Sequence, residues 1–144
     1  MHPRAGGVQR RQLGEQRGHG VADGRELVAV EAGRRWAAEG IAANAVMPGG
    51  IRTGLQRHQE ENLTPEIKAI FDTYPWKTVE QGAATSVLLA ASPLVEGVTG
   101  RYFEDCNEAE PTTDPEAHEG IRPFALDPTA AARLWDISLK MLTR

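Results

Sequence analysis

The 144-residue chain has 40% hydrophobic and 25% charged residues, the composition of one ordinary globular domain and not of a fibrous or wholly disordered protein. Its 16 Lys and Arg against 20 Asp and Glu leave a formal charge of −4, which argues against a general polyanion binder, so nucleic acid is not an expected partner. The lone Cys106 permits no internal disulfide, no apolar run approaches the roughly 20 residues that cross a bilayer, and no signal-peptide core opens the chain; the expected location is the cytoplasm, with no membrane span.

Residues 1–23 are rich in Gly, Arg and Gln with scattered apolar residues, so no helix or strand face there could be buried; a disordered tail is expected. The Arg10, Arg11 pair is followed by no apolar segment, so an export signal is not read there. From Glu26 the pattern becomes regular. Leu27, Val30, Trp36 and Ala37 recur at helical spacing between charged residues, and Gly40 supplies a left-handed C-terminal cap. The run IAANAV that follows is small, branched and uncharged, as in a strand buried on both faces of a parallel sheet, and it is bounded by Met47, Pro48, Gly49 and Gly50.

Thr64, Pro65 and Glu66 carry the cap, first-turn proline and acidic residue of a helix start, predicting a short helix to about Thr73. Thr78 and Gln81 form a capping box for a second helix that ends before Pro93, with Val79, Ala83, Ala84, Val87, Leu88 and Ala91 as its apolar stripe. RYFED reads as a short strand, and the polar stretch after it reads as a surface loop. Asp127 and Pro128 start the last helix, where Ala131, Leu134, Trp135, Ser138 and Met141 or Leu142 share a face. No internal repeat is present.

The segment RRWAAEGIAANAVMPGGIRTGLQRH resembles the part of the short-chain dehydrogenase/reductase family in which a helix leads through Gly-Ile-x-x-Asn-Ala into the sixth strand and a Pro-Gly-Gly-Ile-x-Thr loop. KTVEQGAATSVLLAASP and GVTGRYFEDC resemble the family's next helix and seventh strand. The likeness runs from about Glu26 onward and is nearest the retinol-dehydrogenase-like and WW-domain-oxidoreductase-like branch. It implies an α/β fold, the C-terminal portion of a Rossmann-like doubly wound parallel sheet with about two strands and three to four helices in residues 24–144. It also implies NAD or NADP as cofactor and a small apolar alcohol or carbonyl as substrate. In the family the loop passes beside the nicotinamide, so Pro48, Gly49, Gly50, Ile51 and Thr53 are the candidate cofactor-binding residues. The backbone matching Ile51 would pair with the carboxamide, and the hydroxyl matching Thr53 would reach the phosphates. Independently, ligands of open α/β sheets lie beyond the C-terminal strand ends, and glycine admits a flat ring closely.

The family also places a Tyr and, four residues later, a Lys on the helix before the sixth strand, where Lys lowers the phenol pKa for proton transfer. Counting back without gaps, these positions fall on Gly18 and Ala22, which can move no proton, so no catalytic residue is assigned. Gly6, Gly7, Gly18 and Gly20 follow no predicted strand and do not read as a phosphate loop. His58 reads as an exposed helix histidine, and His118 among Asp114, Glu116 and Glu119 as a solvated acidic loop without metal-ligand spacing. Cys106 reads as a buried or idle thiol. Tyr102 and Phe103 read as core aromatics, and Trp36, Trp76 and Trp135 as core or interface anchors. The resulting expectation is a truncated oxidoreductase chain, inactive alone. Its alternative is a non-catalytic interaction or assembly module whose leftover apolar helix faces favour self-association.

Overall fold

The computed structural model describes residues 24–54 and 63–143. In chain order the elements are α1 (Arg25–Trp36), a 3-10 turn (Ala37–Glu39), β1 (Ala45–Met47), α2 (Pro65–Thr73) and α3 (Val79–Ala91). A second 3-10 turn (Pro93–Val95), β2 (Tyr102–Glu104), β3 (Asn107–Glu108), a third 3-10 turn (Pro123–Leu126) and α4 (Pro128–Leu142) complete the order. Among the described residues the fold is α/β, with a three-stranded mixed sheet in the order β1-β2-β3 and four α-helices. The predicted tail at 1–23 lies outside the described residues.

Local signals set the helix boundaries. Thr64 Oγ1 accepts from the Ile67 amide at 3.4 Å, the Thr78 and Gln81 side chains complete the reciprocal box expected of them, and Asp127 Oδ1 accepts from the Thr129 amide at 2.9 Å. Gly40, at φ 76, caps the 3-10 turn after α1 in the left-handed conformation.

The sheet departs from expectation in two ways. β1 is shorter than IAANAV because Ala43 and Asn44 are bound to a turn instead of a strand ladder. The Asn44 amide nitrogen donates to the Val98 carbonyl at 2.9 Å, and its oxygen accepts from the Arg101 amide at 3.0 Å. Thr99 Oγ1 meanwhile accepts from the Ala43 amide at 3.0 Å. Only after this clasp does the parallel ladder begin, pairing Ala45 with Tyr102, Val46 with Phe103 and Met47 with Glu104. Secondly, the stretch read as a surface loop contains β3, which pairs antiparallel with β2. Asp105 and Cys106, both left-handed at φ 47 and 63, make the tight turn between them without a glycine to announce it.

The core is small. Tyr102, 3% exposed, packs with Ala109, Ile121 and Ala125, and Ala45, Met47 and Leu126 lean on that cluster. Tyr102 and Phe103 are therefore buried sheet aromatics, as their sequence context suggested. α3 also touches β1 but contributes nothing to this cluster, and its stripe is not the face the sequence indicated. Val79 and Val87 are 60% and 61% exposed, whereas Gly82 and Thr85 are buried.

α1 packs mainly on α4. The Trp36 and Trp135 rings meet edge to face with centroids 5.5 Å apart, and the Arg35 guanidinium lies 5.2 Å from the Trp135 ring centre. Within α1, the wholly buried Glu31 carboxylate takes Nε and Nη2 of Arg34 at 2.9 and 2.7 Å and Nε of Arg35 at 2.7 Å. α1 also passes close to the turn before β2, since a Cβ on Gly33 would sit 2.6 Å from Thr99 Oγ1.

Two outcomes follow from this packing. Replacing Asn44 with Ala leaves the Val98 carbonyl and Arg101 amide without protein partners, which is expected to cost about 1–3 kcal/mol. Urea unfolding reads this as a lowered midpoint at unchanged slope; an unshifted midpoint would remove the clasp from the account. The hydrogen bond from Arg34, with that from Arg35 and both positive charges, holds the Glu31 carboxyl at a pKa of about 2 against desolvation. The folded chain binds that proton less tightly than the unfolded one, where the reference pKa is 4.5. The stabilisation is thus complete above the reference value and lost as pH falls from there toward about 2. The melting-temperature gap between wild type and Glu31→Gln should close across that window; a gap constant with pH would contradict the linkage.

Candidate functional site

The parallel ladder delivers β1 at Met47, and residues 48–53 leave its C-terminal end. Pro48 is exposed, and Gly49 turns the chain at φ 85, a conformation that favours glycine. The loop then runs beside Lys77. The Lys77 amide donates to the Gly50 carbonyl at 2.9 Å, and the Arg52 amide donates to the Lys77 carbonyl at 3.4 Å, making an isolated parallel bridge between Ile51 and Lys77. In such a bridge both bonds use the peptide groups of Lys77, so the N–H and C=O of Ile51 point the other way. The Ile51 side chain lies against Gly82 of α3, where no Cβ could be accommodated. Thr53 is exposed.

The two loop glycines serve neighbours within the chain. A Cβ on Gly49 would lie 2.6 Å from Lys77 Nζ, and one on Gly50 would lie 2.7 Å from Tyr74 Cε1. The flat ring at Gly50 is thus that of Tyr74, which also meets Trp76 with centroids 4.5 Å apart. Trp76 in turn contacts Phe71, 4.6 Å between centroids, and its indole N–H donates to the Phe71 carbonyl at 2.8 Å. Lys77 Nζ bonds the Pro48 carbonyl at 3.4 Å and pairs with the Asp105 carboxylate.

A cavity of about 490 Å³ opens on this side of the loop, within the size range of small-ligand sites. Met47, Gly49, Gly50, Tyr74 and Lys77 form one wall; Glu104, Asp105, Glu108, Glu110, His118 and Glu119 contribute to the remainder, while Ile51 and Thr53 lie outside it. The carboxylates make the cavity a poor place for a phosphate. Sequence reasoning missed Tyr74, Lys77 and Asp105 because they meet the loop after β1 only through the fold. Asp105 was visible as the end of the RYFED strand, the one position with a usable signal.

Among the described residues no group of three or more His, Cys, Asp or Glu is arranged to hold a metal, and no helix is long and apolar enough to cross a membrane. Cys106 is exposed instead of buried; its amide donates to the buried Thr85 Oγ1 at 3.0 Å. Gly18, Ala22 and His58 lie outside the described residues, as do the glycines at 6, 7 and 20.

Comparison with known proteins fixes the ancestry. The chain is 51% identical over 117 residues to a probable oxidoreductase of Streptomyces lividans, covering 76% of this chain and 39% of that protein. It is 42% identical over 112 residues to short-chain dehydrogenase/reductase prx1 of Penicillium roqueforti, covering 75% of this chain and 32% of that one. With human retinol dehydrogenase 14 the identity is 41% over 115 residues, covering 78% and 31%. The chain corresponds to the C-terminal part of a short-chain dehydrogenase/reductase. It spans about a third to two fifths of the length of these relatives, from 31% to 39%. No family model and no solved structure matches it. The dehydrogenase-like segments lie where that ancestry requires, the Gly-Ile-x-x-Asn-Ala stretch leading into β1 and GRYFED into β2.

The contact of Tyr74 with Gly50 can be tested directly. Gly50→Ala should push the Tyr74 ring off the loop at a cost of about 1–3 kcal/mol and reduce the near-ultraviolet circular dichroism of the Tyr74 and Trp76 pair. An unaltered near-ultraviolet spectrum would mean that the ring does not rest there in solution.

Proposed function

We propose that this chain carries the nicotinamide-side wall of an NAD- or NADP-dependent oxidoreductase acting on a small apolar alcohol or carbonyl, and that it does not turn over substrate by itself. The observation that carries the reading is the loop 48–53, leaving the C-terminal end of a parallel strand with the peptide groups of Ile51 turned away from Lys77. That orientation suits a carboxamide, which needs one donor and one acceptor side by side. Thr53, exposed two residues on, stands at the position whose hydroxyl the resemblance assigns to the cofactor's phosphates. The acidic cavity beyond Gly49 and Gly50 lies on the other side of the loop and suits no phosphate. Pro48, Gly49 and Gly50 act by setting the loop's path, since their close faces are taken by Lys77 and Tyr74.

A nicotinamide, when bound, supplies the hydride donor or acceptor. The residues of this chain bind and orient it, and Gly18 and Ala22 stand at the positions where the family's tyrosine and lysine would move the proton at the substrate oxygen. We place the protein in the cytoplasm. The second reading, a non-catalytic assembly module, is favoured by one observation, the exposure of Val79 and Val87 along α3.

The test is calorimetric titration of the purified 144-residue chain with NADH and NADPH, beside an absorbance assay at cofactor wavelength with apolar aldehydes and alcohols. No turnover and no tight binding are expected, with circular dichroism confirming a folded chain. Measurable turnover would sink the claim of inactivity, because it would require a proton donor other than those weighed above.

A further inference from the structure

We propose that Lys77, anchored by Asp105, is the positioning residue of the loop 48–53, fixing the orientation in which Ile51 turns its peptide groups away from Lys77. The inference rests on the reading of this loop as the nicotinamide-facing one. Lys77 holds the loop by both backbone and side chain. Its main chain binds the Gly50 carbonyl at 2.9 Å and the Arg52 amide at 3.4 Å, clamping the peptides that flank Ile51. Its side chain crosses the face of Gly49, so close that a Cβ there would sit 2.6 Å from the ammonium, and the ammonium reaches the Pro48 carbonyl at 3.4 Å. Lys77 therefore engages the loop at Pro48, Gly49, Gly50 and Arg52, on both sides of Ile51.

A lysine is a point charge on a flexible four-carbon stem, and by itself would not keep one geometry. Asp105 supplies the missing constraint, because the Lys77 ammonium pairs with its carboxylate. That carboxylate stands on a fixed base: Asp105 lies at φ 47 in the tight turn between β2 and β3, and the next residue, Cys106, donates its amide to the buried Thr85 hydroxyl. The ammonium is thus strung between the loop and a turn that α3 holds in place. Gly49 is favoured by its φ of 85, and the lysine stem lies in the space a Cβ there would take. The side chains are 27% and 61% exposed, so the effect should be local and moderate.

Amide hydrogen exchange of the full chain tests this without cofactor, so its outcome is read independently of the nicotinamide titration and the turnover assay. The reporter is the Arg52 amide, which bonds to Lys77 directly. Lys77→Met and Asp105→Asn should each speed its exchange about three- to fivefold. The double variant should add nothing further, Lys77→Arg should keep the slow rate, and Lys68→Met, which breaks the exposed pair with Asp72 on α2, should leave Arg52 unchanged. Equal exchange at Arg52 in wild type and Asp105→Asn would overturn the proposal. So would a uniform acceleration of all protected amides, which would mark general destabilisation. If Lys77→Met does not fold, Asp105→Asn decides alone.

Discussion

The site depends on one short segment that grips two others at once. Lys77 bonds to the loop at Pro48 and Gly50 and pairs with Asp105; eight residues later Thr85 takes the amide of Cys106, and between them Gly82 receives the side chain of Ile51. The start of α3 therefore fixes the relative positions of the loop after β1 and the turn after β2. A parallel pair of three residues could not do this unaided, because so short a ladder leaves both strand ends free to splay. Asn44 and Thr99 close the other end, and the strand pair is pinned at entry and exit by side chains.

How much of this was legible depends on the range of the forces involved. The helix starts at Thr64, Thr78 and Asp127 were readable because a cap is decided within three residues of sequence. β1 was readable as a strand but not in extent, because Asn44 looks like any small polar residue until the Val98 carbonyl is beside it. β3 was missed because its turn uses Asp105 and Cys106 in a conformation that normally signals itself by glycine. In α3 nearly every position is apolar or small, so periodicity could not select a face. The choice was made by the bulk of Ile51, which needs a residue without a side chain opposite it and finds Gly82. Of the site, the five loop residues could be named from the resemblance, but Tyr74, Lys77 and Asp105 could not, since only the fold brings them together.

The surface shows where packing is incomplete. Val79 and Val87 project into solvent from α3, and β1 has a strand partner on one side only among the described residues. At the start of α1, Glu26 is 7% exposed and its Oε2 has no hydrogen-bond partner among the described residues. Glu31, one helical turn further along and equally shielded, is answered by two arginines.

The two sides of the loop 48–53 have different chemistry, and this bears on how it could serve a cofactor. One side faces Lys77, Tyr74 and the carboxylate-rich cavity, where an anionic phosphate would be repelled. The other side presents the N–H and C=O of Ile51, directed there because Lys77 takes the adjacent peptides. A loop held only by its own turn could present either side. With the Gly50 and Arg52 peptides bound to Lys77, the peptide groups of Ile51 are left facing one way, and the residue that sets this lies on the opposite side of the loop.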